Sequence, residues 1–308
     1  METVVSAGKK ELTAGQWKET IVKLHDWLGD YPLAISGGEP LLREDIFDIA
    51  EFASKKGASV FIMTNATLLD EASIDRFIGS GVKSFIISLD TLDEKEFDSV
   101  RSKKGLTRQV MQAIDLIDGR INVQLTSVIT RKSSGGIEGL VKYCVKKKLK
   151  VNFNPLVVNL FSAQEADGLN KELWIDDVSK IEAAFSKLIQ LKKMHPGTVL
   201  NSLSHIYLMS EYYRGKDSLA RKLICPIGHC FFRISPYGEV WLCRRMGLPA
   251  SEGELGNVLT DSPRHIWYSK KANKIRDKIY SCNKTCKVLA YSYRRDFRQK
   301  IDRFLELS

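Results

Sequence analysis

The chain has 308 residues, 44% of them hydrophobic and 27% charged, with a formal net charge of +10. That is the composition of an ordinary globular protein, long enough for two domains. No apolar run approaches the roughly 20 residues of a membrane span. Met1 to Lys10 lacks the apolar core of a signal peptide, so a cytoplasmic location is expected and a membrane one is not.

Residues 11–30 read as a helix, with Thr13 and Gln16 as a capping box and Ile21, Leu24, Trp27 and Leu28 as the apolar stripe. A strand from Leu33 to Ile35 follows and stops at Ser36-Gly37-Gly38-Glu39-Pro40. Glycines at a strand end let a ligand approach the backbone, and Glu39, fixed by Pro40, can accept hydrogen bonds from a cationic group. Helix 45–56, strand 58–64 ending at Asn65, helix 70–79 and strand 82–90 come next, then a longer helical region reaching Ile117. Strand 121–129, a helix with Ile137, Leu140, Val141, Cys144 and Val145, and strand 149–158 complete the first part. Near-continuous apolar strands alternating with amphipathic helices indicate a parallel sheet covered by helices. The first helix has no strand before it, so the pattern is that of a barrel sheet without its first strand. Polar residues end five successive strands: Gly37 to Glu39, Thr64 and Asn65, Ser88 and Asp90, Thr126 to Thr130, and Asn154. In parallel barrels that edge carries the chemistry.

Residues 166–215 read as a helical connector with Val178, Ile181, Phe185 and Leu188 at core spacing. His195 and His205 have no metal-ligand partners at useful spacing there, so they are expected to be surface or packing residues. Five of the six cysteines lie in the last 84 residues. Cys225, Cys230 and Cys243 accompany a hairpin turning at Pro236 to Gly238, and Cys282 and Cys286 follow. In a reducing compartment such pairs point to thiolates around zinc or an iron-sulfur cluster. Cys144 reads as a core residue. Tyr293 to Leu307 reads as an amphipathic docking helix. Lys and Arg are spread along the chain, with only short runs such as Lys146-Lys147-Lys148, so a nucleic-acid groove is not expected.

Together these residues resemble the radical S-adenosylmethionine (radical SAM) enzymes with a C-terminal SPASM or twitch domain. Gly37-Gly38-Glu39-Pro40 resembles the motif that holds the amino group of S-adenosylmethionine, and Thr64-Asn65-Ala66-Thr67 resembles its Thr-Asn-Gly turn, with Ala66 in place of glycine. Ser88-Leu89-Asp90 with Phe97, Arg101 and Gly105 resembles the ribose-facing segment. Cys225, Gly238, Cys243, Gly256-Asn257, Trp267, Cys282 and Cys286 resemble the twitch pattern, while Ala290 stands where relatives often have another cysteine.

The resemblance implies an α/β fold: a partial (βα)6 barrel lacking its first strand over 1–165, a connector over 166–215, and a small α+β cysteine-rich domain over 216–308. It implies S-adenosylmethionine at Gly37, Gly38, Glu39, Pro40, Asn65, Ser88 and Asp90. It also implies one auxiliary 4Fe-4S cluster on Cys225, Cys243, Cys282 and Cys286, with Cys230 able to replace Cys225. The implied activity is generation of a 5'-deoxyadenosyl radical that modifies a peptide or a small cofactor precursor such as a tetrapyrrole. A flavodoxin or ferredoxin is the implied electron donor. The family's Cys-x-x-x-Cys-x-x-Cys loop belongs before the Thr13 helix, yet no cysteine precedes Cys144. The catalytic 4Fe-4S cluster is therefore expected only if that loop exists. The expectation is a chain truncated at its N-terminus and inactive alone. The rivals are a non-catalytic paralogue that binds a nucleotide-like ligand or a peptide as a partner subunit, and a zinc protein whose basic surface binds RNA.

Overall fold

The computed structural model describes residues 9–157, 172–216 and 218–290. Five strands form one parallel sheet in chain order: β1 (Tyr31–Ile35), β2 (Ala58–Thr64), β3 (Ser84–Ser88), β4 (Asn122–Ile129) and β5 (Lys150–Pro155). Helix α1 (Ala14–Leu28) precedes them. Between them run α2 (Ile46–Lys55), α3 (Glu71–Gly79), α4 (Glu94–Arg101), α5 (Leu106–Ile117) and α6 (Ile137–Lys146). A strand order without reversal is the winding of a barrel sheet. The expected partial α/β barrel is what forms, followed by a small antiparallel sheet. The tail helix expected over 293–307 and the end of the strand expected at Val158 lie outside the described residues.

The chain divides into two compact units. Unit 1 is drawn from Met1–Ile87, Gln112–Val123 and Ile227–Ser281, and unit 2 from Ser88–Met111, Gln124–Pro226 and Cys282–Ser308.

In unit 1 the capping box of α1 forms as expected: Gln16 N–H donates to Thr13 Oγ1 at 3.3 Å and Thr13 N–H to Gln16 Oε1 at 2.9 Å. Ile21 and Leu24 are buried, but Leu28 is 44% exposed, against expectation. The helix ends one residue later at Gly29, so its last turn has left the core. Trp27 instead packs on Phe232 and Trp267, with ring centroids 5.6 and 6.0 Å away. Those rings belong to the C-terminal part of unit 1: α10 (Ile227–Cys230), β6 (Arg233–Ile234), β7 (Glu239–Trp241), α11 (Ala250–Gly253), β8 (Glu254–Asn257), α12 (Pro263–Tyr268) and α13 (Lys270–Tyr280). β6, β7 and β8 pair antiparallel. The predicted hairpin turn closes at Gly238, whose φ is +84°, and a Cβ there would meet Asn257 Oδ1 at 2.5 Å. Glycine is required both by conformation and by close approach. Residues 9–12 run along this hairpin. Leu12 N–H donates to Pro236 O at 2.8 Å, and Lys9 pairs with Glu239.

In unit 2 the strand faces differ. Leu125, Ser127 and Ile129 of β4 and Val151, Phe153 and Pro155 of β5 are buried, while Gln124, Thr126, Val128, Asn152 and Asn154 are half-buried. Helices cover one face and leave the other partly open, so these strands alternate instead of running apolar throughout. The single helical region expected before Ile117 is two helices. The chain breaks between α4 and α5 at Ser102 (φ +51°) and Gly105 (φ +77°). Asp98 bridges the break, accepting from Thr107 N–H at 2.9 Å and Thr107 Oγ1 at 2.7 Å. The stretch expected as a connector lies within unit 2 and carries α7 (Val178–Met194) and α8 (Leu203–Tyr213). Ile181, Phe185 and Leu188 are buried as expected, but Val178 is 56% exposed because it opens the helix beside its cap Asp177. Short helices α9 (Ser218–Lys222) and α14 (Lys287–Ala290) complete the unit.

Candidate functional site

The end of β1 in unit 1 is built around one carboxylate. Gly37 and Gly38 are exposed, and Gly37 has φ +154° with nothing within 4 Å of where a Cβ would stand, so conformation and not crowding selects glycine. Glu39 is half-buried and caps the 3₁₀ turn Pro40–Leu42. Its Oε1 accepts from Thr64 Oγ1 at 2.8 Å and from Leu41 N–H at 3.3 Å, and its Oε2 accepts from Asn65 N–H at 2.8 Å. The Gly-Gly-Glu-Pro turn and the Thr-Asn turn are thus one structure, joined through Glu39. A carboxylate has about four lone-pair sites, and three are used. One acceptor position on Oε2 remains, and no cationic side chain pairs with Glu39 among the described residues.

Thr64 is buried, and its hydroxyl also accepts from Ala66 N–H at 2.9 Å. Asn65 Oδ1 accepts from Thr67 N–H at 2.9 Å and Thr67 Oγ1 at 2.7 Å, which closes the turn. Ala66 sits at φ +63°, the conformation the expected glycine would take without strain.

In unit 2 Asp90 is 7% exposed. Its Oδ1 accepts from Val128 N–H at 2.8 Å and its Oδ2 from Arg101 Nη2 at 3.0 Å, while its carbonyl accepts from Ser127 Oγ at 3.0 Å. Both oxygens therefore tie the end of β4 and the end of α4 together. Ser88 is half-buried on the partly open side of its strand. Further along the half-buried face, Asn154 Nδ2 donates to Thr126 Oγ1 at 2.8 Å and Asn152 Nδ2 to Asn154 Oδ1 at 3.0 Å. Asn154 and Thr126 stand out in the sequence as strand-end residues, whereas Asn152 was missed. Its signal was its position two residues before Asn154, on the same strand face. Tyr213 was missed too: buried in α8, it donates to Ile129 O and accepts from Leu156 N–H at 2.7 Å, and burial pushes its phenol up.

All six cysteines are thiols without disulfides. Cys225, Cys282 and Cys286 fall in unit 2, and Cys230 and Cys243 in unit 1. Within unit 2 the segments carrying Cys225 and the Cys282–Cys286 pair are joined by two hydrogen bonds. Arg221 Nη1 donates to Asn283 O at 2.9 Å, and Lys287 Nζ donates to Arg221 O at 2.8 Å. Lys284 N–H also points at Cys282 Sγ, 3.5 Å away. Among the described residues no group of three or more His, Cys, Asp or Glu side chains is gathered to hold a metal ion. The donor chemistry, cysteine thiols with one backbone N–H directed at the sulfur of Cys282, is of the kind an iron-sulfur cluster takes.

In unit 1 Cys243 lies two residues beyond the strand that begins at Glu239. Burial works against ionisation of Glu239, yet the hydrogen bond and charge of Lys9, with Ser235 and Arg244, hold its carboxyl below the ordinary value. The catalytic cluster is a different case. No cysteine precedes Cys144, which is fully buried in α6 with its thiol pushed up to about 12. These 308 residues do not fit a second four-iron cluster at the β1 end.

Comparison with known proteins bears on the same regions. The model of the radical SAM superfamily matches residues 6–132, and that of the SPASM iron-sulfur cluster-binding domain matches residues 225–288. The chain is 31% identical over 284 residues to the AdoMet-dependent heme synthase of Methanosarcina barkeri, covering 87% of this chain and 76% of that protein. It is 23% identical over 270 residues to the PqqA peptide cyclase of Rhizobium meliloti, covering 87% and 68%. Among solved structures, anSMEcpe with bound AdoMet shares the fold with a TM-score of 0.66 at 16% identity, over 91% of this chain and 79% of that one. Proteins of these families bind S-adenosylmethionine and 4Fe-4S clusters. Among the described residues no helix is long and apolar enough to cross a membrane. The chain belongs to the radical SAM superfamily and carries a C-terminal SPASM domain.

Proposed function

We propose that this chain is the S-adenosylmethionine-binding core and auxiliary-cluster domain of an enzyme that modifies a peptide or a tetrapyrrole-type cofactor precursor. The observation that carries the reading is Glu39: a carboxylate held by Thr64, Leu41 and Asn65, with no cationic side chain on it among the described residues and one acceptor position left beside two exposed glycines. That arrangement suits one ammonium N–H of the cofactor. The relatives' names, a peptide cyclase and a heme synthase, support the two substrate classes without choosing between them.

In this reading Gly37 and Gly38 offer backbone groups to the cofactor's amino-acid part, and Pro40 fixes the direction of Glu39. Asn65 borders the same turn. Ser88 meets the ribose, and Asp90 serves by holding β4 and Arg101 in place. Cys225, Cys243, Cys282 and Cys286, with Cys230 in reserve, hold the auxiliary cluster, which supplies electron transfer or a substrate-binding iron. A flavodoxin or ferredoxin delivers electrons, and the net charge of +10 suits such acidic partners. The protein's part is binding, orientation and exclusion of water, while the cofactor carries the hard chemistry.

One observation favours a second reading, in which the chain binds the cofactor or a peptide without cleaving anything: no cysteine precedes Cys144. Calorimetric titration of S-adenosylmethionine into the anaerobically reconstituted chain tests the first part of the proposal, and saturable binding is expected. Assay of 5'-deoxyadenosine on the same sample separates the two readings. The chain alone is expected to stay at the level of a cofactor-free blank, and turnover above it would overturn that expectation.

A further inference from the structure

We propose that His205 is a positioning residue for Cys286, acting from the core of unit 2 through the carbonyl of Val288. The proposal rests on the reading of Cys282 and Cys286 as auxiliary-cluster ligands. His205 is 1% exposed in α8. Its Nδ1 lies 3.1 Å from Asn201 Nδ2 and its Nε2 lies 3.0 Å from Val288 O.

The orientation of the Asn201 amide is fixed by β5. Phe153 N–H donates to Asn201 Oδ1 at 2.7 Å, and Asn201 Nδ2 donates to Phe153 O at 2.7 Å. The amide nitrogen is a donor only, so the Nδ1 facing it must accept. The proton of the neutral ring therefore sits on Nε2, where it donates to Val288 O. One continuous buried chain of hydrogen bonds runs from strand β5 through Asn201 and His205 to the turn that follows Cys286.

That turn is short and closes on the cysteine itself. Leu289 N–H donates to Cys286 O at 3.1 Å, and Val288 N–H donates to Thr285 O at 3.0 Å. The side of α9 holds the same segment through Lys287 Nζ on Arg221 O and Arg221 Nη1 on Asn283 O. Those two bonds join it to the Cys225 segment, whereas His205 joins it to the sheet. A four-residue helix has no stability of its own, so its position depends on such ties. Val288 is fully buried, so its carbonyl without a donor would pull the turn away from its site.

The test compares wild type, His205→Leu and His205→Gln by two measurements. The first is the alkylation rate of Cys286 in the cluster-free chain, followed by mass spectrometry with exposed Cys230 as internal reference. The second is the midpoint potential and the electron paramagnetic resonance spectrum of the auxiliary cluster after anaerobic reconstitution with iron and sulfide. The Leu variant should raise Cys286 alkylation about tenfold, the effect of one lost buried hydrogen bond, and should change both potential and spectrum. The Gln variant keeps a donor for Val288 O and should behave as wild type in both. Wild-type alkylation and potential in His205→Leu would overturn the proposal. So would a Gln variant as altered as the Leu variant, because the donor to Val288 would then be irrelevant. If the wild-type chain takes up no iron and sulfide, the auxiliary-cluster reading fails by itself, and the alkylation rates still decide the role of His205.

Discussion

Two carboxylates at strand ends, one in each unit, show how similar sequence signals lead to different chemistry. Glu39 of unit 1 is held by two backbone N–H groups and a hydroxyl, all neutral, and keeps an acceptor position open. Asp90 of unit 2 spends one oxygen on a backbone N–H and the other on the Arg101 guanidinium. Among the described residues the charge of Glu39 is oriented but met by no cation, which is what a cationic ligand needs. That of Asp90 is already answered within its own unit, which makes it a fastener. A negative charge available at one strand end and compensated at another is a difference in partners and not in residue type.

The largest effect should come from breaking the fastener. Asp90→Ala strands the Val128 N–H and the Arg101 side chain, and should lower unfolding stability by about 2–3 kcal/mol in a urea titration. An unchanged midpoint would mean that Asp90 is free for a ligand after all. Glu39→Gln should do the reverse: the amide oxygen still accepts from Thr64 or Asn65, so the fold survives, while S-adenosylmethionine affinity falls about 10–100-fold with the lost charge-assisted bond. Thr64→Val removes the hydroxyl shared by Glu39 and Ala66 N–H, and should cost about 1–2 kcal/mol by thermal melting. Ala66→Gly relieves a left-handed alanine and should gain up to about 1 kcal/mol, a rise of a few degrees in melting temperature.

The smallest effect concerns the Lys9–Glu239 pair in unit 1. The Glu239 carboxyl titrates below its ordinary value of 4.5. Its contribution is therefore present above about that pH and is lost as the pH falls towards the folded value. Melting temperatures measured between neutral and acid pH should fall less steeply for Glu239→Gln than for wild type.

Much of this is legible in the sequence. The period of the helices, the Thr13 capping box and the strands 58–64 and 121–129 followed from local patterns that tertiary contacts reinforce. Gly37 to Pro40 and Thr64 to Thr67 were visible as turns, but their union through Glu39 was not, since it joins residues 25 apart in sequence. Val178 and Leu28 were misread for one reason. Both continue a helical stripe at a helix end, where the stripe has already left the core. Asp90 and Arg101 were legible as residues but not as partners. His205 reads as a surface or packing histidine, and nothing local shows that it is buried or that its partners include Asn201 and Val288, the second 83 residues away.

The most direct test of the account is calorimetric titration of S-adenosylmethionine into the wild-type chain and Glu39→Gln, with folding of both checked by circular dichroism. The account predicts saturable binding by the wild type and a loss of about 10–100-fold in the folded variant. Equal affinity in the two, or no binding to a folded wild-type chain, would contradict it.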